Sequence, residues 1–239
     1  MNLTERFSFP KPDQRYTMIK IIAVISMLID HIGVVFFPDM IEFRILGRLA
    51  FPLFAYQAAI GLNHTSDTGR YFLRLFSFAL LSQLPFMVLF NTTELNVLFT
   101  LSFAVLLVHL YNKMRSVQDY ELSSFFIILL IFFSLVVHQL ASTPGYNYGI
   151  FGVSLVFCFY ISQRFFSGIS GKLVSSICFA LLTLSFADQY GILHYFGLFA
   201  IPFFFINPQK KFNINKYFYY AIYPLCLIIL WGTVYVFNL

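Results

Sequence analysis

A chain of 239 residues with 59% hydrophobic and 10% charged side chains, and a mean hydropathy of +0.80, is far too apolar for a soluble domain. Its 33 Phe and 15 Tyr suit lipid-facing and interfacial surfaces. The net charge of +5 calls for no nucleic-acid partner, because basic loops against anionic lipid headgroups account for it. Composition therefore gives an all-α polytopic membrane bundle. Residues 1–17 form a polar N-terminal segment, read as cytoplasmic and not as a cleavable signal, and 18–239 form a single transmembrane domain.

In chain order, apolar runs between polar breaks predict nine spans: 18–37, 45–62, 73–90, 95–111, 122–140, 149–163, 173–187, 190–206 and 217–237. Several fall short of the usual 20 residues and are expected as tilted or partial crossings. With the N-terminus inside, thirteen of the fifteen cations lie on the cytoplasmic side, from Arg6, Lys11, Arg15 and Lys20 to Lys210, Lys211 and Lys216. That asymmetry orients the bundle with its C-terminus outside. Only Arg44 and Arg48 lie on the other side, four apart at the start of the second span, where they need anionic company. Asp30, Asp39 and Glu42 are the nearest acids.

The first span carries the strongest chemical signal. Within Met18–Phe37, MIKIIAVISMLIDHIGVVFF, Asp30 and His31 stand side by side, and an ionised acid there costs roughly 2.5 kcal/mol or more. An imidazole can take a proton from an attacking group and return it to a leaving group, given an acid to set its tautomer. Adjacent helical residues diverge by about 100°, so the orienting acid for His31 is sought on another span. Asp188 is the candidate, while Asp30 pairs with Arg48. The bland alternative is an ionic knot of Asp30 with Arg44 or Arg48 that only locks the first two spans. Gln83, Asn96, Thr100, His138, Asn147, Tyr148, Asp188, Gln189 and His194 also fall in the outer half, which implies a polar cavity near that face. His64 and His109 read as interfacial on the inner side. Cys158, Cys178 and Cys226 sit in apolar runs without CxxC spacing and read as buried thiols, and no His or Cys pattern suggests a metal.

Several blocks, taken together, resemble the TraX family of membrane proteins, typified by the F-pilin acetylase. They are Lys20–Gly33 (KIIAVISMLIDHIG), Leu46–Tyr56 (LGRLAFPLFAY), Tyr71–Phe86 (YFLRLFSFALLSQLPF), Leu95–Leu101 (LNVLFTL), Asn147–Val153 (NYGIFGV) and Lys216–Leu225 (KYFYYAIYPL). The resemblance implies a multi-pass acetyltransferase of the bacterial cytoplasmic membrane, taking acetyl-CoA to an amine or hydroxyl of a pilin-like or envelope acceptor. It carries Asp30, His31, Arg48 and Gln83 over as catalytic positions. Two positions depart from the family pattern: Asn147, where an acid is common, and Cys226, where His usually follows YPL.

On that reading the anionic donor meets basic inner loops at Arg70, Arg74, Lys113 and Arg115. Its long arm threads the bundle, and Arg48 or Gln83 steadies the developing oxyanion. Arg44, Asn96, Asp188 and His194 are the expected substrate contacts. Two rival readings remain at this level: a proton-coupled transporter built on Asp30 and His31, and a non-catalytic membrane partner.

Overall fold

Twenty residues from Thr17 to Phe36 wind into α1, about 30 Å of helix at 1.5 Å per residue and enough to cross a hydrocarbon core. The computed structural model describes residues 17–116, 148–206 and 216–237. After α1 come α2 (Ile41–Gly47), α3 (Ala50–His64), α4 (Thr68–Phe90) and α5 (Val97–Ser116). The second described segment holds α6 (Gly149–Phe165), α7 (Gly168–Ser185), α8 (Ala187–Tyr190), a 3-10 helix (Ile192–Ala200) and α9 (Ile201–Phe204), and the third holds α10 (Lys216–Phe237).

Six helical stretches among the described residues are long and apolar enough to span: Met18–Phe36, Ile41–His64, Thr68–Phe90, Val97–Ser116, Gly168–Ser185 and Phe218–Phe237. Gly149–Phe165 and Ile192–Phe204 are apolar but shorter. The expected spans outside 122–140 thus each coincide with a helical stretch, while 122–140, the N-terminal segment, His138 and Asn147 lie outside the described residues.

The helix α3 occupies the middle. Phe51, Leu53, Ala55, Tyr56, Ala58 and Ala59 are all buried, and α1, α5 and α6 pack against it. Its alanines allow close helix approach where lipid gives little hydrophobic drive for association. On the outer helices the balance reverses. Leu73, Leu80, Leu81 and Leu84 of α4, and Ile228 and Ile229 of α10, face outward as lipid-facing residues should.

Helix ends follow local chemistry. Asp67 caps α4, its Oδ1 accepting from the Arg70 backbone N–H at 2.9 Å, and Asn91 closes that helix in the left-handed region at φ 46°. The 3-10 helix buries His194, Gly197 and Ala200. That spacing of three is the period of a helix with 3.0 residues per turn, and its longer rise of about 2 Å per residue carries a short segment further.

The ends of the bundle are fixed by two long-range contacts. Tyr160 Oη donates to Asn112 at 2.7 Å, joining the ends of α5 and α6, while Tyr148 at the start of α6 meets Arg48. Ser116 and Tyr148 therefore stand at opposite ends.

Candidate active site

Two glycines let α2 lie tightly on α1. A Cβ on Gly33 would collide with the Phe43 side chain, and one on Gly47 would collide with the Asp30 carboxylate. Ser26 Oγ adds a short hydrogen bond to the Leu46 carbonyl. The result is that Arg44 Nη1 donates to Asp30 Oδ1 at 3.0 Å. The expected pairing of Asp30 with Arg48 is thus corrected. One turn earlier on α2, Arg44 faces α1, whereas Arg48 follows the end of α2 and turns toward Tyr148, its Nη1 3.5 Å from the hydroxyl.

These residues line a cavity of about 600 Å³ between α1, α2, α3, α4 and α10, with the α4–α5 connection. Asp30, His31, Arg44 and Arg48 all reach it, as do Glu94, Tyr148 and Tyr223. His31 is held edge-on by Phe90 (centroids 5.4 Å) and Tyr223 (5.9 Å). Neither ring nitrogen makes a hydrogen bond of good geometry among the described residues, although the Met27 backbone lies within reach of the ring. Asp30 Oδ2 lies 3.8 Å from His31 Nδ1, beyond a hydrogen bond. The neighbouring acid therefore approaches His31 after all, because the carboxylate swings along the helix while its other oxygen is anchored on Arg44. The Asp188 side chain lies outside the described residues.

Tyr148 is set unusually. It adopts φ 59°, in the left-handed region, which costs a non-glycine residue roughly 1–2 kcal/mol. Its ring stacks on Phe51 with centroids 3.9 Å apart, and its hydroxyl reaches Arg48. Behind that stack lies His194, buried edge-on to Phe151 (4.5 Å) and stacked with Tyr190 (5.0 Å). His194 shares a small void with Arg48, Phe51 and Tyr148, one layer behind the main cavity.

Gln83 and Asn96 stand in the wall. Gln83 Nε2 donates to the Glu94 carbonyl at 2.7 Å, and its Oε1 accepts from Asn96 N (3.0 Å) and Nδ2 (2.9 Å). Asn96 Nδ2 also donates to the Ala79 carbonyl, and its Oδ1 accepts from the Leu98 backbone N–H. Both amides are occupied in shaping the connection that presents Thr92 and Glu94 to the cavity. An oxyanion role for Gln83 would require breaking that network, which leaves Arg48 as the better placed group.

The four basic residues expected to meet an anionic donor divide. Arg70 is exposed and engaged by Asp67, Nε to Oδ2 at 2.9 Å, and Lys113 is exposed. Backbone donation from Arg70 is the main cause holding the Asp67 carboxyl below its ordinary range. Arg74 lines a second cavity of about 230 Å³, and Arg115 lines a third of about 430 Å³ with Arg164 and Tyr160. His64 ends α3 and is hydrogen-bonded to the Ile60 carbonyl, while His109, within the second half of α5, is hydrogen-bonded to the Thr68 hydroxyl. Cys226 is buried and is not among the residues lining these cavities.

Glu94, Tyr148 and Tyr223 complete the cavity without having stood among the predicted site residues. Glu94 lies in a polar turn (NTTE) and Tyr223 in an aromatic run, and nothing in either segment singles the residue out. For Tyr148 there was a signal, its place among the polar residues of the outer half.

A helical membrane bundle with an ionic cavity between its helices is the class this architecture defines. The profile of a family described as TraX protein matches residues 15–234, nearly the whole chain, and the chain belongs to that family. It is also similar to an uncharacterized protein, RP591, of Rickettsia prowazekii (strain Madrid E), with 46% identity over 41 residues, 17% of this chain and 16% of that protein. No solved structure matches.

Proposed function

We propose that this protein is a membrane-embedded acetyltransferase that moves an acetyl group from acetyl-CoA to an amine or hydroxyl acceptor, with His31 as general base. The observation that carries this reading is His31 itself. It is a half-buried imidazole with neither ring nitrogen in a hydrogen bond of good geometry, in a cavity beside one carboxylate and two guanidinium groups. A side chain that only packed would have its polar atoms satisfied.

The chemistry follows from that placement. As the acceptor nitrogen or oxygen attacks the thioester carbonyl, His31 takes its proton and the new C–N or C–O bond forms. Asp30, paired with Arg44 at 3.0 Å, stands beside the imidazolium formed in this step, and Arg48 stabilises the tetrahedral oxyanion. Collapse breaks the C–S bond, and His31 returns the proton to the departing sulfur. Atoms and charge balance without a metal or a redox partner.

The proposed topology has nine crossings, N-terminus inside, in the bacterial cytoplasmic membrane. It is supported by the thirteen inward cations and by the positions of Ser116 and Tyr148 at opposite ends. The acceptor, pilin-like or another envelope component, then approaches His31 from the outer side, as the family's association with pilin acetylation suggests. Incubating membranes with acetyl-CoA labelled in the acetyl group tests this function. Label should enter a protein or envelope product with wild-type protein and not with His31→Ala. Solute movement without any labelled product would favour the transporter reading instead.

A further inference from the structure

The acyl-transfer reading needs a route by which a thioester reaches His31 from the basic end of the bundle. Three cavities lie in series along that line. The cavity holding Arg115 and Arg164 shares Thr65 with the second one, which in turn shares Met27, Phe54, Val97 and Tyr223 with the His31 cavity.

The middle cavity is the informative one. At about 230 Å³ it is small, with mostly apolar walls, yet three buried polar atoms on its lining residues have no hydrogen-bond partner among the described residues: Gln57 Nε2, Arg74 Nε and Tyr219 Oη. The first two donate only, and the phenol can donate, so the set calls for a ligand or solvent rich in acceptors. Unsatisfied buried donors are uncommon because each forfeits its hydration. The cations beside them are set against rings, Lys20 Nζ 5.2 Å from the Tyr219 centroid and Arg74 Cζ 5.7 Å from that of Tyr71.

We propose that this middle cavity binds the amide-bearing pantetheine arm of the CoA donor, with Gln57, Arg74 and Tyr219 donating to its carbonyl oxygens. This proposal rests on the acyl-transfer reading. A slender chain with amides at intervals matches narrow apolar walls carrying separated donors, whereas a lipid tail would leave all three donors unmet. Tyr223 belongs to the shared wall and also packs edge-on against His31. The arm that fills the middle cavity therefore ends against the residue that holds the base. Passage of the thioester requires this wall of Met27, Phe54, Val97 and Tyr223 to part.

The test measures equilibrium binding of CoA, phosphopantetheine and adenosine 3′,5′-bisphosphate to the purified full chain in lipid nanodiscs. Gln57→Leu and Tyr219→Phe, with folding checked by thermal unfolding, should weaken CoA and phosphopantetheine about tenfold and about fivefold, respectively. The bisphosphate, which lacks the arm, should bind as to wild type. His31→Ala, beyond the wall, should keep CoA affinity within about twofold. Tyr219→Phe removes one hydroxyl only, so a misfolded Gln57→Leu would still leave a reading. Unchanged phosphopantetheine binding in the folded variants, or equal weakening of the bisphosphate, overturns the arm site while leaving acyl transfer standing. Failure of wild type to bind CoA at all overturns both.

Discussion

Replacing Gly47 by Ala puts a single methyl group where the Asp30 carboxylate now lies. In a helix this exchange ordinarily stabilises, by up to about 1 kcal/mol from reduced backbone freedom. Here the opposing effect is larger. Overpacking of a tight contact costs roughly 1–3 kcal/mol, and the gain shrinks because Gly47 is the last residue of α2. The expected net is a loss of about 1–2 kcal/mol, with Asp30 pushed off Arg44 and away from His31. Gly232→Ala in α10 is the control, since a Cβ there meets nothing within 4 Å. Thermal unfolding of both variants in the same detergent should lower the midpoint for Gly47→Ala and hold or raise it for Gly232→Ala. The acetyl-transfer rate should fall in the first variant alone. A Gly47→Ala protein as stable and active as wild type would refute the claim that this close approach builds the site.

Arg44→Gln should cost more stability than Arg48→Gln, about 1–3 kcal/mol, because it leaves Asp30 without its ion-pair partner at 3.0 Å. Arg48→Gln should instead lower the transfer rate with a small change in unfolding midpoint, and the reverse ranking would contradict the assigned pairing. Gln83→Leu deletes three hydrogen bonds to Glu94 and Asn96 and is expected to cost roughly 3 kcal/mol, read as earlier unfolding. Asp67 contributes stability that is present above its ordinary value of 3.8 and is lost as pH falls through its lower folded value. Asp67→Asn, which keeps a capping side chain, should flatten the acid limb of the stability profile and leave the neutral range unaltered.

Much of this arrangement was legible because membranes simplify the code. Apolar length marks the crossings, so the helices α1, α4, α5 and α10 stand close to where hydropathy predicts them. The ionisable pair in α1 marks the cavity for the same reason: placing Asp30 and His31 within a membrane span is costly. What the sequence hid depended on angles between helices. Arg44 and Arg48 are four apart and nominally on one face, but α2 ends at Gly47 and a turn intervenes before α3. Arg48 is thereby sent to Tyr148, and Asp30 left to Arg44. Glu94 joins the site through a turn whose path is fixed by Gln83, a residue that the family resemblance carries over as catalytic. The segment 190–206 was legible as apolar, while its 3-10 winding shows only in the spacing of His194, Gly197 and Ala200.

The central claim is that His31 performs acid–base chemistry on a CoA thioester. The most direct measurement is release of free CoA thiol when acetyl-CoA is added to membranes carrying wild-type protein or His31→Ala at matched abundance. Acceptor-dependent thiol release from wild type, lost by at least a hundredfold in His31→Ala while the variant stays folded, is the expected result. Equal release from both would contradict it.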